Sequence, residues 1–118
     1  MIYYHKSDGN RWFRKREILF FIEGIDEEKD NSHTIVWEYL KIKLGCKAEH
    51  PTTIEWLIDF SRDGMIFRCI LAGMLGMYFC SPNQKRESQE YYEKLEKIVK
   101  ELVEALNRDN HELDIALK

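Results

Sequence analysis

The sequence predicts a mainly α fold, a single-domain bundle of about four helices around a buried central helix at residues 65–79. Three observations carry that expectation. Apolar residues recur at helical spacing through the last third of the chain, capping signatures stand before two segments, and Met65–Phe79 is apolar on nearly every face if wound as a helix. At 118 residues there is room for one core. A hydrophobic fraction of 44% beside 33% charge places the chain with globular proteins and not with disordered ones. No repeat, low-complexity tract or Gly/Ser/Pro linker divides residues 1–118.

Residues 1–25 admit two readings, hairpin and strand or helix. Ser7-Asp8-Gly9-Asn10 is a tight-turn signal, which would make Ile2–Lys6 and Arg11–Lys15 a small N-terminal β-hairpin. Ile18-Leu19-Phe20-Phe21-Ile22 is a continuous apolar run. Its periodicity fits strand and helix equally, and its aromatic and β-branched content favours β. Asn31 or Ser32 can cap a helix over Thr34–Leu44, with Ile35, Val36, Tyr39, Leu40 and Leu44 inward and Gly45 as its stop.

Thr52-Thr53-Ile54-Glu55, after Pro51, reads as a capping box for a second helix through Trp56, Leu57, Ile58 and Phe60 to about Arg62, broken by Gly64. Met65–Phe79 follows as the buried centre. Gly73 and Gly76 each cost a helix about 1 kcal/mol, which close approach of a neighbouring helix would offset. Ser81-Pro82-Asn83-Gln84 reads as another capping box with proline at the first helical position. It opens a long amphipathic C-terminal helix over 81–106, in which Tyr92, Leu95, Ile98, Val99, Leu102, Ala105 and Leu106 share a stripe. Glu90/Lys94, Glu93/Lys97 and Glu96/Lys100 add ion pairs four apart. Residues 107–118 form a tail.

No window is long, apolar and uncharged enough to span a bilayer, and Met1–Lys6 lacks the basic-then-apolar layout of a signal peptide. Three widely spaced cysteines do not make a disulfide framework, so the expected setting is reducing and cytoplasmic. The net charge of −3 is unevenly spread. Lys6, Arg11, Arg14, Lys15 and Arg16 dominate the first twenty residues, and Glu23, Asp26, Glu27, Glu28 and Asp30 the next ten. Such polarity concerns partners, not fold.

The first of these clusters is the candidate site. Tyr3, Tyr4, Lys6, Arg11, Trp12, Arg14, Lys15 and Arg16 interleave rings with cations. That mix suits an acidic protein groove, or single-stranded nucleic acid, whose bases stack on rings while cations follow phosphates. Against this stands a plainer arrangement, in which the rings pack on helices and the cations are solvated or paired with the acidic stretch. A duplex-binding helix-turn-helix over Thr53–Leu71 fares poorly, because its second helix would offer base edges only Arg68.

Cys46, His50, Cys69 and Cys80 lack the short paired spacing of structural zinc sites, and core cysteines explain them better. Cys46 with His33, His50 or His111 would suffice for a nucleophile and base, yet nothing local marks an activated thiol. The acidic stretch has oxygens for Mg2+ but reads as a solvated loop. No glycine-rich phosphate loop is present.

The sequence therefore points to a non-enzymatic interaction or regulatory protein without cofactor or metal. It would bind another protein through Tyr3–Arg16 and self-associate, as a homodimer through its C-terminal helix. A single-stranded nucleic-acid binder is the alternative and a small metal-dependent enzyme the next. Elemental analysis of purified protein separates the last from the others.

Overall fold

The stretch from Leu57 to Leu71 sets the architecture. Its central residues are Asp63 and Gly64, both at positive φ (54° and 78°), as the two-residue type I′ turn of a β-hairpin requires. On either side apolar residues alternate with polar or exposed ones: Ile58 and Phe60 are buried around exposed Asp59, and Phe67 and Cys69 are buried between Ile66 and Ile70. In the computed structural model this stretch is two antiparallel strands. The structure describes residues 3–8, 18–23, 32–48, 57–71, 77–83 and 86–108.

Strands β1 (Tyr3–Asp8), β2 (Ile18–Glu23), β3 (Lys47–Ala48), β4 (Leu57–Arg62), β5 (Met65–Leu71) and β6 (Met77–Cys80) form one antiparallel sheet in the order β1-β2-β6-β5-β4-β3. Helix α1 (Ser32–Glu38) runs into a π-helical turn, Tyr39–Lys43, and helix α2 (Gln89–Arg108) closes the described chain. The protein is a mixed α/β fold. The mainly α four-helix bundle is overturned.

Three expected elements change. The central helix at 65–79 is replaced by β5 and β6, and the segment at 53–62 contains β4 from Leu57 onward, its first residues lying outside the described set. The helix-turn-helix reading of Thr53–Leu71 falls with them. For β6 the cause is physical: Met77–Cys80 is buried on both faces of the sheet and as uniformly apolar as a buried helix, so period alone misleads, whereas β4 and β5 alternate and their signal is the Asp63-Gly64 turn. The Ser81 box is instead a turn. Ser81 Oγ accepts from the Asn83 amide and donates to Glu87 Oε1, both at 3.1 Å, while α2 begins at Gln89 behind Ser88, whose Oγ accepts from the Tyr91 amide at 3.2 Å.

The run Ile18–Ile22 is strand, as its aromatic and β-branched content favours. The expected tight turn at Ser7-Asp8-Gly9-Asn10 is corrected: Ser7 and Asp8 continue β1 and pair with Leu19 and Ile18 of β2, while Arg11–Lys15, the expected partner strand, lies outside the described residues. The expected helix at 34–44 is helical through Lys43, with Leu44 as its C-cap and Gly45 taking φ 71° as a stop residue does. The turn before it is π rather than α, with the Leu44 amide bonded to the Tyr39 carbonyl at 3.0 Å.

One face of the sheet meets the helices. Ile58, Cys69, Phe79 and Phe20 stand in register across β4, β5, β6 and β2 and are at most 2% exposed. They share a core with Val36 and Leu40 and with Leu95, Val99, Leu102 and Leu106 of α2. Phe67 bridges the layers, its ring centroid 5.5 Å from Phe60 and 4.9 Å from Tyr91. The Tyr91 hydroxyl donates to the Ile66 carbonyl, which ties α2 to the β5 backbone. Arg62 pairs with Glu101, and Lys94 lies 3.7 Å from Asp63, so the hairpin tip is held to α2 as well.

The opposite face carries a second apolar row, Leu57, Ile70, Tyr78 and Phe21, ending at His5 on β1. Tyr78, Leu19 and Cys80 are buried there, outside the helix-side core.

Candidate functional site

Among the described residues β1 and β3 are the sheet's two edges. They differ in kind. Among the described residues β3 has two residues, whereas β1 has six regular residues with no proline. Every β1 residue from Tyr3 to Asp8 is in register with β2, from Glu23 to Ile18. The outer side of β1 thus presents a six-residue row of backbone groups with no described strand against it.

Of the candidate site residues, Tyr3, Tyr4 and Lys6 lie on β1. Arg11, Trp12, Arg14, Lys15 and Arg16 fall outside the described residues. Tyr4 and Lys6 alternate onto the helix side, opposite Ile22 and Phe20. Tyr4 is half-buried, with its ring 6.3 Å from that of Phe20 and its hydroxyl donating to Glu96 Oε2 at 3.4 Å. Burial is the main influence raising the Tyr4 pKa above its ordinary value; Glu96 adds to it and Lys100 opposes it. Lys6 is exposed with its ammonium 6.0 Å over the Phe20 ring, a cation–π distance. Exposed His5 points to the other face. The edge is therefore flanked by Tyr4 and Lys6 and by Glu96 and Lys100 of α2.

The α2 stripe offered to a twofold partner is spent inside the chain. Tyr91, Tyr92, Leu95, Ile98, Val99, Leu102, Val103, Ala105 and Leu106 are all buried, and the exposed residues of the helix include Glu90, Glu93, Lys97, Lys100 and Glu104.

All three cysteines are free and buried. Cys69 faces the helix-side core and Cys80 the other side of the sheet, since Cys69 is in register with Phe79 and Arg68 with Cys80. Burial pushes the Cys46 thiol up, against the lowering influence of Arg62, and a protonated thiol is a poor nucleophile. His50 and most of the acidic stretch lie outside the described residues, among which no three His, Cys, Asp or Glu gather to hold a metal. No described helix is long and apolar enough to cross a membrane. A cavity of about 340 Å³ lies between Lys43, Arg62, Glu101, Glu104 and Arg108. Its opposing charges nearly cancel, with Arg62 already committed to Glu101.

No family model matches the chain, and no curated protein or solved structure does either.

Proposed function

We propose that this is a non-enzymatic interaction protein that takes an extended segment of a partner protein along β1, using Tyr3–Arg16 as its contact surface. The observation that carries the reading is the long, regular β1 edge, which has no described strand beside it. A strand added there gains backbone hydrogen bonds along its length, while side chains set specificity. Tyr4 and Lys6 offer a ring and a cation on the helix side, which favours a partner segment carrying apolar and acidic residues. Twofold pairing through the α2 stripe is not carried forward, because that stripe is occupied.

Affinity capture from the native host tests the reading, comparing wild type with the Trp12→Ala/Arg14→Ala/Arg16→Ala variant and with Lys6→Glu. A protein recovered by wild type and lost by both variants at unchanged thermal midpoint supports it. Added protection of the β1 amides from hydrogen exchange in the complex would locate the contact. Equal loss of stability and binding means the residues are structural. Captured material that is chiefly nucleic acid, released steeply between low and moderate salt, favours single-stranded nucleic acid instead.

A further inference from the structure

Two charged groups stand close together along β1. Tyr4 and Lys6 point to the helix side of the sheet and His5 to the other side. At Tyr4 the helix side holds a carboxylate: the Tyr4 hydroxyl donates to Glu96 Oε2 at 3.4 Å, and Glu96 forms no described ion pair. Lys100, on the next turn of α2, stands by the same hydroxyl. At Lys6, two residues on and on the same face, an exposed ammonium lies 6.0 Å over the Phe20 ring and has no described carboxylate partner. A cation and a carboxylate are thus offset by two residues along one edge.

That offset makes the edge its own complement. Antiparallel pairing sets residues of the same face opposite one another, so a twofold axis relating two copies of β1 passes through one of its residues. An axis at Tyr4 or Ser7 leaves only three residues of β1 paired on each copy. An axis at Lys6 pairs five, but sets ammonium against ammonium. An axis at His5 also pairs five, Tyr3–Ser7, and sets Lys6 of each copy opposite Tyr4 of the other. Directly opposed Cβ atoms are about 4.5–5.5 Å apart. The lysine stem then reaches the Tyr4 hydroxyl and the Glu96 carboxylate beside it, and symmetry repeats the contact. The two α2 helices flank the seam on one side of a continuous sheet, and His5 meets its copy on the other.

From this geometry we infer that β1 pairs with β1 of a second copy about a twofold axis at His5, joining the two sheets into one. A patch that complements itself is what a twofold dimer requires. Resting on the reading that β1 accepts an added strand, self-pairing goes further and names the occupant of the edge in the absence of a partner. A partner segment then has to displace the second copy before it can add to the sheet. Self-association comes through the edge and not through α2, whose stripe is spent inside the chain.

Sedimentation equilibrium of the full chain over a range of concentrations should show a reversible dimer. Lys6→Glu and Glu96→Lys should each weaken it about tenfold, because each change acts twice across the axis. The double variant Lys6→Glu/Glu96→Lys should recover the wild-type affinity. Register is read separately by oxidation with copper phenanthroline. His5→Cys should cross-link into a covalent dimer, since directly opposed residues have Cα atoms within disulfide reach. Lys6→Cys, set opposite Tyr4, should not, and the three native cysteines are buried. A monomer at every concentration, a dimer indifferent to Lys6→Glu, or cross-linking at Lys6→Cys in preference to His5→Cys would overturn the proposal. A monomer that still captures a partner through Lys6 removes the second copy and leaves the β1 reading standing. A dimer of this register that captures no partner supports self-pairing and removes that reading.

Discussion

Four consecutive residues of β5 provide the sharpest test of the architecture. In a strand, Phe67 and Cys69 face the helices while Ile66 and Arg68 face away, so truncation costs should alternate. Phe67 has no exposed surface and its ring lies against Phe60 and Tyr91. Phe67→Ala should therefore cost about 3–5 kcal/mol, the usual price of removing a core aromatic. That is a large share of the roughly 5–15 kcal/mol by which domains are stable. Ile66 is already 58% exposed. Ile66→Ala forfeits less than half of a full aliphatic burial, below about 1 kcal/mol. Arg68→Ala breaks a pair with half-exposed Asp59, a loss of about 0.2–1 kcal/mol. Cys69→Ala opens a small void in the core, costing about 1 kcal/mol. Urea denaturation of the four variants, fitted with a common slope, gives these values directly. A helix buried on nearly every face would penalise Ile66→Ala as heavily as Phe67→Ala. Equal costs at 66 and 67 would refute the sheet and everything placed on its edges.

Alkaline titration probes the α2 contact: burial holds the Tyr91 hydroxyl well above its ordinary range, so above about pH 10 the unfolded chain releases a proton the folded chain keeps. Stability from this group is full below that pH and lost as pH rises further, and urea midpoints between pH 8 and 11 should show a decline that Tyr91→Phe makes shallower, with buried Tyr78 and half-buried Tyr4 sustaining the remainder. An identical decline in the variant would contradict the assignment. Ser88→Ala should cost about 1 kcal/mol by leaving the Tyr91 amide without its cap, measured by the same denaturation; a change within error would place the start of α2 elsewhere.

How far the residues spoke for themselves follows from which signals were local. α2 was legible because a stripe from Tyr92 to Leu106 repeats at helical spacing over several turns, and tertiary packing only confirmed which face is inward. Its start was misplaced because Ser81 has the cap chemistry but lies at a buried turn, 0% exposed, where its hydroxyl serves Asn83 and Glu87 instead. The β4–β5 hairpin had a local signal too. Asp63-Gly64 between two runs rich in aromatic and β-branched residues is the strongest short-range hairpin signature there is, and reading Gly64 as a helix stop discarded it. For β6 there was no such help. Met77, Tyr78, Phe79 and Cys80 are all buried, and a strand apolar on both faces carries no period to read.

The candidate site follows the same logic. Tyr4 and Lys6 drew notice as neighbours in sequence, and the sheet then showed what composition does not hold: they lie on an edge strand, beside Glu96 and Lys100 of a helix ninety residues away.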